Sequence, residues 1–230
     1  MKILNTRIGI IRPCSTLLLI TSLSVAGMDI GPITIAMEPQ QTLITRTIKN
    51  NGTSTKTYQL ETQKISDPTS NGKLLTMSPG ELLYTPKRFF LHAGQTQNVK
   101  IYYKGPADEQ ERYYQVTFIE SPAAQPESQV PTTPTGMLEM NVALQSILVV
   151  RPRHVKFEYV LDEVSGNIRN SGNTFFEFMV KQDCTQPDSQ ADSKYLLPGE
   201  IHHNEKIKNI ESKLFIIYAS RFIPLRRECA

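Results

Sequence analysis

Short segments in which apolar and polar residues alternate, separated by turn residues, follow one another from Asp29 onward. Successive side chains of a strand point to opposite faces, so this period of two is typical of β-strands that bury one face. No stretch shows the 3.6-residue period of an amphipathic helix. About seven strands are expected in the first 150 residues, and the sequence therefore predicts an all-β protein built from immunoglobulin-like β-sandwiches.

Turn residues suggest how some of these strands connect. Thr42 to Ile48 alternates, Asn50-Asn51-Gly52 is a strong turn signal, and Tyr58-Gln59-Leu60 restarts the alternation. This pattern predicts a hairpin-like pair.

A second half repeats features of the first. Ile168 to Asn173 resembles Ile48 to Thr53, and Leu197-Pro198-Gly199-Glu200 stands in the place of Leu91-His92-Ala93-Gly94. Two related sandwiches would explain this, with domains at 27–152 and 153–230 and the second one smaller. Convergent turn chemistry is the alternative. Three further strands are expected in this half, at 155–159, 213–218 and 221–224.

The segment from Leu138 to Ser146 places its apolar residues on one face and its polar residues on the other. The apolar face consists of Leu138, Met140, Val142 and Leu144. A proline-containing polar segment precedes it, and the uninterrupted apolar run 147–150 follows it, as expected of a strand buried on both faces. The row either belongs to an ordinary half-buried strand or is held for another polypeptide that adds a strand to the edge.

The N-terminus has the pattern of a secretory signal. Lys2, Arg7 and Arg12 precede the apolar run 17–23, and Ser24-Val25-Ala26 supplies small residues for cleavage, so residues 1–26 are expected to be removed. The alternative, a membrane anchor, would need a longer apolar run. We therefore expect the protein to be exported.

Charge and cysteine content limit which partners and metal ions the protein is expected to bind. The signal carries three of the 25 Lys and Arg residues and no acidic residue, which leaves 22 against 22 Asp and Glu, so no charge argument for nucleic acid survives. The mature chain retains Cys184 and Cys229, an even number that favours one disulfide in an exported protein, and the segment supplies too few ligands for a zinc site.

The sequence gives little support for an enzymatic function. The sequence has no phosphate-binding glycine loop, nucleophile elbow or zinc-binding helix motif, so no nucleotide, metal or other cofactor and no enzymatic activity is expected. Asp108, Glu109 and Glu111 could supply a carboxylate pair but lie in a predicted turn. His202 and His203 are adjacent and would point to opposite sides of a strand.

Three phrases carry a family resemblance: residues 102–114, 146–153 and 172–174. They resemble the periplasmic chaperones of the chaperone-usher pathway, which assemble fimbriae, and are most similar to the common pilus chaperones, an alternate branch. The similarity covers nearly all of the mature chain. It implies two immunoglobulin-like sandwiches in an L or boomerang arrangement.

In that family the chaperone lends a strand to a fimbrial subunit whose sandwich is incomplete, and then delivers the subunit to an outer-membrane usher. The resemblance assigns Leu138, Met140, Val142 and Leu144 to this donor strand. It also aligns Glu111 and Arg151 with charged residues between the domains, although they could be independent surface charges. The third acidic partner of the family has no counterpart near Ser220.

One family feature is missing. Familiar members anchor the subunit's terminal carboxylate with an arginine and a lysine, whereas the matching places here hold Thr34 and Ser146 or Ile147. The alternatives are one of three arginines, Arg46, Arg112 and Arg153, or a site made of backbone groups and hydroxyls.

The expected function is that of a chaperone working without ATP. The alternative is a structural or adhesive component of the fimbria itself, and a periplasmic hydrolase is a third option. A self-capping dimer of the unbound protein is left open.

Overall fold

The computed structural model describes residues 27–123 and 140–226. The first half contains ten strands: β1 Met28–Asp29, β2 Thr34–Met37, β3 Leu43–Asn50, β4 Lys56–Ile65, β5 Leu74–Leu75, β6 Leu82–Thr85, β7 Arg88–Leu91, β8 Thr96–Tyr103, β9 Arg112–Pro122 and β10 Val142–Val150. The second half contains seven: β11 Tyr159–Asp162, β12 Asn167–Asn170, β13 Phe176–Lys181, β14 Asp192–Leu196, β15 Ile201–His203, β16 Lys213–Tyr218 and β17 Arg221–Pro224. Two 3-10 helices, Asp188–Gln190 and Glu205–Lys208, complete the described elements. The all-β prediction is confirmed.

Two sheets form the first half. One has the order β1-β3-β8-β6, and the other has the order β2-β10-β9-β4-β5 with β7 also paired to β4. Alternate residues of the long strands point inward and form one apolar core around Ile48, Tyr58, Val99, Tyr114 and Phe118, each fully buried. Strands β1, β5 and β6 are not among the expected seven; β1 and β5 have only two residues each, too few to show a period.

The predicted hairpin between β3 and β4 is wrong. β3 pairs with β1 and β8, whereas β4 pairs with β5, β7 and β9 in the other sheet. The Asn50-Asn51-Gly52 turn therefore carries the chain from one sheet to the other. Asn50 is buried, and its amide group donates to the carbonyl oxygens of Ser54 and Leu91, which fixes this change of sheet.

The same construction recurs in the second half. Asn170 donates to the carbonyl oxygens of Thr174 and Leu196, as Asn50 does to those of Ser54 and Leu91. In both turns the asparagine Oδ1 accepts from a glycine amide two residues later. The resemblance between the halves is thus a shared hydrogen-bonded turn. The structure also corrects the alignment by one residue, since Leu91 corresponds to Leu196 and not to Leu197.

The second half is a smaller sandwich, with sheets β11-β12-β15 and β14-β13-β16-β17 around its own apolar core. The strand expected at 155–159 is wrong for its first four residues. Lys156 and Glu158 instead accept hydrogen bonds from the loop amides of Asn173 and Gly172. This approach is so close that a Cβ on Gly172 would lie 2.0 Å from the Lys156 carbonyl oxygen, which explains the glycine.

Within the described ranges, no strand of one half pairs with a strand of the other. The proposed boundary after residue 152 agrees with this division but stays a prediction, and residues 1–26 lie outside the described ranges. A search of residues 27–123 and 140–226 found no helix with the length and apolar character needed to cross a membrane.

Candidate functional site

Strand β10 joins the two patterns that the sequence showed separately. It runs without interruption from Val142 to Val150, so the alternating segment and the apolar run are one strand, and Met140 precedes it. Its even-numbered residues face the core of the first sandwich, where Leu148 and Val150 are buried. Leu144 is partly buried against that core, Val142 is 41% exposed and Met140 is 67% exposed.

These exposures describe a row that leaves the core and ends in solvent. We refer to Met140, Val142 and Leu144 as the apolar row. Leu138, the remaining predicted member, lies outside the described residues. An apolar row with increasing exposure along one strand is unusual for a domain core and typical of a surface that binds another polypeptide.

The backbone of the same segment has an unpaired side. All of β10 pairs with β9, from Val142 opposite Glu120 to Val150 opposite Arg112. On its other side, β2 pairs in parallel with residues 147–150 only. We refer to the uncovered side of residues 142–146 as the open edge, because no strand of the described ranges pairs with it.

The direction of the backbone groups at the open edge follows from the pairing with β2. The amide of Ile147 donates to the carbonyl oxygen of Ile33 at 2.7 Å. Residues two apart in a strand direct their backbone groups to the same side. The N–H and C=O groups of Ala143 and Gln145 therefore point away from β9 and toward any strand that is added here.

The odd-numbered face of β10 packs toward the second half. Ile147 and Val149 are buried with Ile65 and Tyr113, and Phe175 and Leu197 of the second half pack against this cluster. Strand β10 thus carries the open edge at one end and a contact between the halves at the other.

Glu111 and Arg151 lie beside this cluster, and their charged atoms are 2.8 Å apart with both side chains buried. Glu111 accepts four hydrogen bonds, from the Tyr113 hydroxyl, the Phe175 amide, the Thr174 hydroxyl and Arg151. Two of these donors belong to the second half. We refer to this arrangement as the joint.

Arg151 has a hydroxyl and two aromatic rings as its further partners, where the family has a third acidic residue. Its guanidinium also donates to the Thr174 hydroxyl and lies 5.1 Å from the ring centre of Phe175 and 5.2 Å from that of Tyr218. Aromatic rings attract a guanidinium placed over their faces. The two rings therefore contact the cation in a chain that has no counterpart of the family's third acid near Ser220.

The predicted substitutes for the carboxylate anchor all have internal partners. Arg46 donates to the carbonyl oxygens of Ile30 and Pro32, and Arg153 donates to that of Pro39. Arg112 forms two hydrogen bonds of 2.7 Å with Asp108.

At the matching places themselves, Thr34 is exposed and lies opposite Ile147. Ser146 is buried, and its hydroxyl has no hydrogen-bond partner among the described residues.

The three carboxylates that could have formed a catalytic pair are engaged separately. Hydrogen bonds from Arg112 hold the pKa of Asp108 at about 2, Glu109 lies 2.6 Å from His154, and Glu111 belongs to the joint. Burial lowers the pKa of His202, whereas His203 contacts Asn167 and Glu205. No group of three or more metal-ligating side chains was found in the described ranges.

Cys184 is disulfide-bonded. Its predicted partner Cys229 lies outside the described residues, so the pairing of these two cysteines stays a prediction.

Sequence reasoning missed the second-half residues of the joint: Thr174, Phe175 and Tyr218. Thr174 ends one of the three phrases that carry the resemblance, which was the available signal. Nothing in the spacing of Phe175 and Tyr218 distinguishes them from ordinary core aromatics.

Comparison with known proteins agrees with this architecture. Residues 27–156 match the family described as "Pili and flagellar-assembly chaperone, PapD N-terminal domain". The chain is 32% identical to the "Probable fimbrial chaperone EcpE" of Escherichia coli (strain K12) over 88% of this chain and 86% of that protein. It is 26% identical to the "Probable fimbrial chaperone EcpB" of Escherichia coli (strain SMS-3-5 / SECEC) over 91% and 96%.

Solved structures share the fold. The class 5 fimbriae chaperone CfaA superposes with a TM-score of 0.56 at 16% identity, covering 88% of this chain and all of that one. The SafB chaperone in complex with the SafA pilin of Salmonella enterica gives a TM-score of 0.54 at 15% identity, with 85% and 92% covered. These findings confirm the resemblance drawn from the sequence, and the chain belongs to the family of pili and flagellar-assembly chaperones.

Proposed function

We propose that this protein is a periplasmic chaperone that binds fimbrial subunits by donating the apolar row and open edge of β10, and that it passes them to an outer-membrane usher. The chaperone names of its relatives and the pilin bound to the SafB chaperone support a subunit as the partner. The role is one of binding without turnover, and it needs no nucleotide or other cofactor.

The observation that carries the proposal is the coincidence of two unfilled features on one strand. The open edge offers backbone groups to an extended strand, and the apolar row offers side chains on the core-facing side of the same residues. Each apolar side chain that becomes buried contributes roughly 1.5–3 kcal/mol before ordering costs. An incomplete sandwich of a subunit needs both contributions.

The remaining parts of the molecule have supporting roles in this proposal. The Cys184 disulfide is compatible with an oxidising compartment and hence with the periplasm. Glu111 and Arg151 act between the domains and keep the second sandwich in a fixed position relative to β10. The structural or adhesive alternative has no specific observation in its favour.

The test is co-purification of subunits with the tagged mature protein from the periplasm of its own host, followed by mass spectrometry. The decisive variant is Met140→Ser with Val142→Ser, because both side chains are already exposed and the fold does not depend on them. The matched control is Val160→Ser with Ile201→Ser, two apolar residues that are also exposed and lie on strands of the second half.

We expect a small β-rich subunit to co-purify with the unmodified protein and with the control, and to be lost from the decisive variant. Equal capture by both variants would show that the apolar row is not the binding surface. Recovery of the protein itself in sheared fimbriae would instead support the structural alternative.

A further inference from the structure

The open edge exists because the chain leaves β10 early, at the segment that connects β1 with β2. β1 belongs to the sheet of β3, whereas β2 belongs to the sheet of β10, so residues 30–33 cross from one sheet to the other. Gly31 allows the turn with a φ of 70°, and its amide donates to Asp29 Oδ1 at 2.8 Å. Had this segment continued alongside β10 in the register of β2, it would have covered residues 143–146.

Backbone chemistry does not prevent such an extension. Ile33 directs its carbonyl oxygen toward β10, so Gly31 would direct its backbone groups the same way if the segment were extended. Pro32, which has no amide hydrogen, would point away from β10, where an edge strand tolerates proline. Another contact must therefore keep the segment in its crossing path.

That contact is made by Arg46 of β3. Its side chain points inward and donates to the carbonyl oxygen of Pro32 at 2.7 Å and also to that of Ile30, on either side of Gly31. The residue is 7% exposed, and its Nε has no hydrogen-bond partner among the described residues. Burial lowers the pKa of the guanidinium, with Asp29 partly compensating.

Burying a guanidinium whose hydrogen-bond donors are not all paired costs free energy of folding. Replacing buried charges with apolar residues of similar size is often neutral or stabilising. The burial of Arg46 is better explained by its hydrogen bonds to the carbonyls of Ile30 and Pro32 than by a contribution to the stability of the sandwich.

We propose that Arg46 is a positioning residue of the strand-binding site: by holding the carbonyls of Ile30 and Pro32, it keeps residues 30–33 off β10 and the open edge free. The role of Arg46 in subunit binding rests on the proposed function, whereas its contact with residues 30–33 is a property of the unbound protein alone. Arg46 contacts no partner in this account and acts through the crossing segment.

The experiment is hydrogen exchange, followed by NMR, on the full mature chain and on Arg46→Met. We expect the amide of Gln145 to exchange about tenfold more slowly in Arg46→Met, because in the register of β2 the carbonyl oxygen of Gly31 then accepts from it. Arg46→Lys retains the charge but presents a single nitrogen, and an intermediate rate is expected. If Arg46→Met does not fold, Arg46→Lys against the unmodified chain gives the same comparison.

Ile168→Val is the control, since it perturbs a fully buried residue in the separate core of the second half. Slower exchange in Ile168→Val, or unchanged exchange in both Arg46 variants, would overturn the proposal. Subunit capture by the unmodified protein is read separately. Its failure would refute the proposed function but would leave the exchange result, and so the role of Arg46 in the unbound protein, intact.

Discussion

At the scale of single residues, the joint shows how much depends on one carboxylate. Glu111 is buried and accepts four hydrogen bonds, two of them from the second half. The resemblance identified Glu111 and Arg151 because charges at matching positions are easy to align. It did not identify Phe175 and Tyr218, since ring contacts with a cation leave no signature in spacing.

Removing the negative charge of the joint should be costly. Glu111→Gln leaves the buried Arg151 without its counter-charge, and we expect a loss of about 3 kcal/mol in the free energy of unfolding. Urea unfolding followed by circular dichroism measures it. In Glu111→Gln with Arg151→Met no buried charge is left unpaired, so part of the stability should return. A double variant as unstable as the sum of both single variants would contradict a coupled pair.

The lowered pKa of Asp108 predicts that the stability of the fold depends on pH. Hydrogen bonds from Arg112 hold its pKa at about 2, below the ordinary value of 3.8. A carboxyl whose pKa is depressed in the folded state stabilises the fold above its ordinary pKa, and this stabilisation is lost as the pH falls through the folded value.

Asp108→Asn should therefore be less stable than the unmodified chain at neutral pH, by about 1 kcal/mol or less because solvent screens this half-exposed side chain. The difference should be constant between about pH 5 and 7, shrink below about pH 4 and be small at pH 2, where the carboxyl of the folded protein is half protonated. Melting curves of both proteins across this range measure it. A difference as large at pH 2 as at pH 7 would exclude the Asp108 charge as its cause.

At the scale of elements, the long strands could be predicted because alternation over many residues has one explanation. The shortest strands, β1, β5 and β15, and the pairing could not. The turn at Asn50 was visible, but a turn signal shows only that the chain changes direction, and here it changes sheet. The pairing was decided by the buried amide of Asn50, which bonds carbonyls up to 41 residues away.

The repeated turn gives a matched pair of predictions. Asn50→Ala and Asn170→Ala each remove two hydrogen bonds that the side-chain amide donates to backbone carbonyls and one that its Oδ1 accepts from a glycine amide. We expect each to lower the free energy of unfolding by about 2 to 3 kcal/mol. Urea midpoints should fall for both, with Asn51→Ala as a neutral control. A loss at only one position would show that the two turns are not equivalent.

The graded exposure along β10 separates binding from stability. Leu144 packs against the core, so Leu144→Ala should cost about 1–2 kcal/mol, whereas Met140→Ala should change stability by less than about 0.5 kcal/mol. Thermal melting measures both. Equal destabilisation by the two variants would indicate that the apolar row is ordinary core along its whole length.

At the scale of the whole molecule, β10 connects the open edge with the contact between the halves. One end has a side that no strand of the described ranges pairs with, and the other packs between the halves beside the joint. The sequence indicated the apolar row through its period. The sequence could not indicate where β2 begins, because the start of β2 depends on the contact between Arg46 and a segment 14 to 16 residues earlier. The start of β2 in turn determines which part of β10 stays uncovered.

The most direct test of the account is hydrogen exchange of the open edge in the purified complex with a fimbrial subunit, compared with the unbound chain. A donated strand must bury its free backbone groups, so the amides of Ala143 and Gln145 should become strongly protected. Those of residues 147–150, already paired with β2, should change little. Unchanged exchange at Ala143 and Gln145 in a complex that is protected elsewhere would contradict strand donation by β10.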